Sequence, residues 1–320
     1  IVGCQKKSIE FDDQFETSST LVDTTENIVF LPTLESKLKL SKNSIYASTL
    51  LYAWEELKNN TDGTIENFSN PELEYINKSL SYFQTLLENE YQTNVKIENN
   101  GIEISSSFKK DLPFEYPMDL ADTILFESHK IKTFTPDLSI DYNSVKIKYY
   151  YSDEDFALQI NPSDSLHEII LIKSDFEENT TFKNELFRYN LLKDHAENNL
   201  ESSEKWKIEI LDNDTILIPI INFDLYSNYP NLKNTSLTID NSPFSIEAIK
   251  QRIQFRLDQN GAIVESEFVI VAPSVDEVEE IKPKKLIFDK PFLIFLKRKD
   301  AKFPYFAAYI KDSSLLDVVK

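Results

Sequence analysis

The stretch Phe288-Asp289-Lys290-Pro291-Phe292-Leu293-Ile294-Phe295-Leu296 opens with an acid, a base and a proline, then runs through apolar residues alone. Such a run reads as a buried strand with Asp289 and Pro291 at its entrance. The polar turn Lys297 to Lys302 follows, and then Tyr305 to Ile310 reads as its partner strand. Upstream, Ile253-Gln254-Phe255-Arg256-Leu257 alternates apolar and polar residues before Asp258-Gln259-Asn260-Gly261, the pattern of a strand that ends at a glycine turn. Gly261 and Pro291 are 30 residues apart.

Further outward, β-branched and aromatic runs recur: Ser144 to Tyr151, Phe156 to Ile160, Glu168 to Ile172, Thr215 to Phe223, Ala248 to Leu257 and Leu286 to Leu296. The C-terminal half is therefore expected to be mostly sheet. Ile216 to Ile221 is apolar on both faces, and Pro219 within it marks a bulge or a missing ladder bond. Helical spacing of Tyr46, Leu50, Ala53, Trp54 and Leu57 predicts a helix from about Ser44 to Lys58. A second helix begins at Asn70-Pro71 with Leu73, Ile76, Leu80, Phe83 and Leu87 on one stripe, and a short one spans Phe182 to Leu192. Val95 to Ile104 is a hairpin in which Asn-Gly supplies the positive φ angles of the turn.

The 320 residues carry 34 Lys and Arg against 54 Asp and Glu, a formal charge of −20, so nucleic acid is not an expected partner. With only four glycines, none close enough to another to build a phosphate loop, a dinucleotide fingerprint or a nucleophile elbow, glycine-based cofactor sites are excluded. Three histidines in separate segments and one cysteine give no metal-ligand spacing, and neither metal nor cofactor is expected. Ser165 near His167, and Asp194-His195, read as solvated surface residues. The acidic clusters Asp153-Glu154-Asp155 and Asp212-Asn213-Asp214 read as charged turns. No internal repeat or Pro-rich or Gly-rich linker follows residue 28, which suggests one interwoven α+β domain over 28–320.

Phe288 to Leu296 resembles the serpin signature, in which a core strand pair begins F-x-A-D-R/H-P-F-L-F-F-I. Ile253 to Gly261 is similar to the serpin strand that leads into the reactive loop, and the spacing from Gly261 to Pro291 matches that family's loop plus return strands. Looser likenesses join Ile218 to Phe223 to the family's I-P-K-F strand, Asn27 to Phe30 or Asn43 to Tyr46 to its N-I-F-F strand, and Leu120 to Phe126 to its N-A-I-Y-F strand. The resemblance implies an α+β fold with N-terminal helices packed on large, mostly antiparallel sheets. It also implies a monomeric peptidase inhibitor or binding protein, not an enzyme. Ile1-Val2-Gly3-Cys4 resembles a bacterial lipobox, implying a lipid at Cys4 and an extracytoplasmic, membrane-anchored protein with residues 1–27 as lipobox remnant and tether.

An inhibitory serpin threads its cleaved loop into its own sheet, which needs small residues after the glycine. Here the hinge-like positions are Gly261, Ala262, Val264, Ser266 and Phe268, and burying Phe268 in a packed sheet should cost about 1–3 kcal/mol. Between the hairpin near residue 104 and the strand near residue 120 there is no room for the helix that lies over the serpin sheet. The charged stretch Ser266 to Lys285 reads either as a bait loop, with Val275-Asp276 as the scissile bond by spacing, or as a solvated connector. The partner is then a peptidase or another surface protein.

Overall fold

The computed structural model describes residues 19–61, 63–88, 90–109, 112–137, 144–262 and 283–319. The first of its sheets has seven strands. In order these are β1 (Thr20–Leu21), β14 (Ile221–Ser227), β16 (Ser242–Leu257), β15 (Ser236–Ile239) and β4 (Ile65–Glu66). On this sheet β6 (Gly101–Lys109) runs parallel to β16, and β5 (Tyr91–Glu98) pairs antiparallel with β6.

The second sheet, also seven-stranded, runs β10 (Val145–Ser152), β11 (Asp155–Ile160), β12 (His167–Lys173), β19 (Phe292–Arg298), β20 (Phe306–Ile310), β3 (Asn43–Ala47) and β2 (Ile28–Phe30). A third has the order β18 (Lys285–Ile287), β13 (Thr215–Pro219), β9 (His129–Thr135) and β8 (Asp119–Phe126). A two-stranded piece joins β17 (Gly261–Ala262) to β7 (Leu112–Pro113). Most of these pairings are antiparallel, so the expected α+β architecture is what the chain adopts.

The centre of the second sheet is the stretch whose apolar run predicted a core strand. Phe292 to Leu296 on β19 are all fully buried, and β19 pairs antiparallel with β12 on one side and β20 on the other. With both edges paired and both faces covered, a strand has no place for polar side chains, which is why the run tolerates none. Phe292 lies between Phe288 and Phe126, with ring centroids at 5.2 and 6.2 Å.

Helix α1 spans Thr49–Asn59 and buries Leu50, Ala53, Trp54 and Leu57, the stripe read from the sequence. It starts later than that stripe suggested. Asn43 to Ala47 is strand β3, held between β2 and β20, so Tyr46 is buried from a strand instead of a helix. Gln251 on β16 ties the first sheet to the start of α1: its amide donates to Ala47 O at 3.1 Å and Thr49 Oγ1 at 2.8 Å, and accepts from the Tyr229 hydroxyl at 2.7 Å.

Helix α2 (Pro71–Lys78) begins as expected, with the Asn70 side chain accepting from Glu72 N at 2.9 Å. It ends after two turns, however, and Leu80, Phe83 and Leu87 are 67%, 61% and 47% exposed. The Ser79 and Ser81 hydroxyls donate to Glu35 at 3.1 and 2.6 Å, and Ser79 turns extended. These serine bonds draw the chain out of the helix and bury Tyr82 and Leu86 in place of Leu80, Phe83 and Leu87, while Leu73 and Ile76 are buried as predicted. Helix α3 (Phe182–Asn199) is longer than expected; the Thr181 hydroxyl caps it, and Phe182, Leu186 and Tyr189 are buried. In the β5–β6 hairpin the positive φ angles fall on Asn99 and Asn100, and Gly101 opens the next strand. Pro219 ends β13, and with Ile220 it carries the chain from the third sheet to β14 in the first.

Candidate functional site

The two strands that flank residues 263–282 are each anchored by a built structure. At the first anchor β16 ends in the turn Asp258 to Gly261, closed by Asp258 N to Gly261 O at 3.0 Å and Gly261 N to Asp258 O at 3.1 Å. Asp258 is 1% exposed; its carboxylate accepts from Asn260 N at 2.8 Å and pairs with Arg256. Phe114 N donates to Asn260 O at 3.1 Å and Met118 N to Gln259 O at 2.7 Å, so the turn is pinned against the segment after β7. Gly261 has φ +104°, and a Cβ there would lie 2.5 Å from Phe114 N and 2.6 Å from Leu112 O. Only glycine fits such an approach of two backbones.

Past Gly261 the chain departs from β16. Ala262 pairs antiparallel with Leu112 on β7. Both edges of β16 are taken between Gln251 and Gln254, on one side by Ser227 to Asp224 of β14 and on the other by Ser106 to Lys109 of β6. A strand turning back from residue 262 alongside β16 would have to displace one of these ladders.

At the second anchor Lys284, expected as part of a solvated charged loop, is fully buried. Its Nζ is 2.8 Å from Asp214 Oδ2, with both side chains at 0% exposure, and it donates to Trp206 O at 3.0 Å. The ammonium lies 5.4 Å from the Trp206 ring centroid and 5.9 Å from that of Tyr150. Asp214 also accepts from the backbone amides of Lys284 at 2.7 Å and Leu211 at 2.9 Å. The turn Asp212 to Asp214 therefore holds a buried partner, in place of the plain charged turn read from the sequence. Burial, followed by the Asp153 bond and the Asp153 and Asp214 charges, raises the Tyr150 hydroxyl far above its ordinary range.

A second buried lysine braces the same region. Lys173, 2% exposed at the end of β12, donates to Asp289 Oδ1 at 2.7 Å, Ile287 O at 2.9 Å and Asp153 O at 3.1 Å, and lies 3.2 Å from Glu154. Burial pushes the Glu154 carboxyl up, but the Lys290 bond and the Lys173 charge outweigh it and hold it low. Asp153 accepts from the Lys285 amide at 2.9 Å. The acid at the entrance of the core strand thus answers a buried cation. The sequence signal for it was a lysine directly after the apolar run Ile169 to Ile172.

The remaining candidate residues stay apart. His167 is buried, not solvated: its Nδ1 is 2.5 Å from Asp164 and its Nε2 3.7 Å from Glu90, with the Tyr305 ring edge-on at 5.7 Å. Asp194 and His195 are exposed on α3. Cys4, Val264, Ser266, Phe268, Val275 and Asp276 lie outside the described residues. No helix among the described residues is long and apolar enough to cross a membrane, and none of their His, Cys, Asp and Glu side chains form a group of three or more suited to a metal ion.

The predicted core pair, the glycine turn at the end of a long strand and the return strand into the third sheet are all in place. The fold is serpin-like. No family model matches the chain, and no curated protein matches it. Among solved structures it is similar to Serpin48, a highly specific serpin of the insect Tenebrio molitor, with 11% identity and a TM-score of 0.36 over 65% of this chain and 55% of that one. Human thyroxine-binding globulin with thyroxine gives 10% and 0.39 over 67% and 57%, and the thermophilic serpin Tengpin in its native state 10% and 0.39 over 67% and 56%. The chain thus spans little more than half the length of these structures.

Proposed function

We propose that this chain is an extracytoplasmic serpin-like lipoprotein, a binding protein and not an enzyme, that takes a protein partner through the connection at residues 262–285 without inserting it as a new strand. The partner class is a peptidase or another surface protein, and lipid on Cys4 supplies the membrane contact. The observation that carries the non-inserting reading is Phe268, at a position where an inserting hinge needs a small residue. Insertion beside β16 would also have to open one of the ladders that hold its two edges from Gln251 to Gln254. The alternative is a working serpin-type inhibitor of serine or cysteine peptidases, favoured by the likeness of Phe288 to Leu296 to the signature of that family.

The two separate on cleavage. In a panel of serine and cysteine peptidases, cutting near Val275-Asp276 should leave the melting temperature unchanged or lower, and no peptidase complex should survive denaturing electrophoresis. A large rise in melting temperature after cleavage, or a covalent adduct, would establish the inhibitor instead.

A further inference from the structure

The third sheet ends at β8, and among the described residues no strand pairs with its outer edge. Two leucines on that strand stand largely in water, Leu120 at 66% and Leu125 at 62% exposure. Five positions apart, they would point to opposite faces of a regular strand. The bulge between Ala121 and Ile124 changes this: Leu120 pairs with Phe134 and Leu125 with Lys130, two β9 residues an even number of positions apart and so on one face. The Thr133 hydroxyl, donating to Asp122 O at 2.5 Å, holds the bulge. An open edge with two exposed leucines on one face is what edge strands ordinarily avoid.

We propose that this edge binds a second copy of the chain, β8 against β8, antiparallel about a two-fold axis normal to the sheet. The register that pairs the whole strand sets Asp119 opposite Phe126 of the other copy, and the same register sets Leu120 opposite Leu125. Asp122 then faces Thr123, so no like charges are directly opposed. A two-fold axis normal to the sheet carries each face onto itself, so all four leucines meet on one side. Without the bulge each Leu120 would face a leucine pointing the other way. The contact is isologous and joins two four-stranded sheets into one continuous sheet. It departs from the monomer expected from sequence. Because each copy carries −20, added salt should strengthen it.

The test uses the full chain with Cys4→Ser, which removes the only native thiol. In sedimentation equilibrium the mass should rise with protein concentration from 37.2 kDa toward twice that value. Leu120→Lys or Leu125→Lys should weaken association by about tenfold or more, roughly 1.4 kcal/mol, with the melting temperature unchanged because both residues are exposed. Under mild oxidation a mixture of Leu120→Cys and Leu125→Cys chains should form a disulfide dimer. Neither variant alone should, since like positions sit about 14 Å apart along the strand, four β9 positions at roughly 3.4 Å each. A mass of 37.2 kDa at every concentration overturns the proposal. So does association indifferent to the lysines, or cross-linking of one cysteine variant alone as readily as the mixture.

Discussion

Replacing Lys284 with methionine tests whether the second anchor of the 263–282 connection is an energetic fixture or a solvated loop end. Met keeps most of the side chain's length and removes its charge. The Asp214 carboxylate then remains fully buried, with the amides of Lys284 and Leu211 still donating to it at 2.7 and 2.9 Å but no cation beside it. Breaking a buried ion pair from one side costs about 3–5 kcal/mol. The two surviving amide bonds put this case near the lower end, about 3 kcal/mol. With an unfolding entropy of about 2.1 cal/mol/K per residue, a chain of this length should melt about 4.5 °C lower. Lys284→Met with Asp214→Asn removes the stranded charge and should recover about 2 kcal/mol. Urea denaturation and calorimetry of both variants measure these values. Trp206, whose ring lies 5.4 Å from the ammonium, gives a local fluorescence reading. A loss below about 1 kcal/mol for the single variant, or a double variant no better than the single, would refute the reasoning.

Three further outcomes are expected. Phe292→Ala, at a fully buried position between Phe288 and Phe126, should cost about 3–5 kcal/mol in denaturant unfolding. Gly261→Ala should cost at least about 2 kcal/mol in the same assay, since backbone atoms at 2.5 and 2.6 Å cannot yield. Gly101→Ala should cost less, because the three atoms nearest its new Cβ all belong to the movable Glu247 carboxylate. Burial pushes the Glu35 carboxyl up, but bonds from Ser81 and Lys183 outweigh it, so its folded pKa lies below 4.5. A depressed carboxyl stabilises the fold above its unfolded value and loses that contribution as pH falls through the folded one. Glu35→Gln should therefore flatten the stability profile below pH 4.5, measured by urea midpoints across the acid range.

What the sequence by itself determined is what short-range pattern can encode. The apolar run Phe292 to Leu296 announced a buried strand, the stripe Leu50 to Leu57 a helix face, and Asn70-Pro71 a helix start. Gly261 announced a turn that admits no side chain. These follow from periodicity and backbone sterics within a few residues. Only the tertiary structure decided the rest. Lys173 with Asp289, and Lys284 with Asp214, are buried cations whose partners lie 116 and 70 positions away. A lysine in sequence gives no sign of whether the folded chain will enclose it. The stripe Leu80, Phe83 and Leu87 misled because two serine hydroxyls found Glu35, more than forty positions upstream, and that pairing outbid the local helix. The reach of β8's leucines to one face depends on a bulge bonded to Thr133 on the neighbouring strand. In each case burial and charge pairing are set by contacts between distant segments, and a local pattern carries no record of which segments will meet.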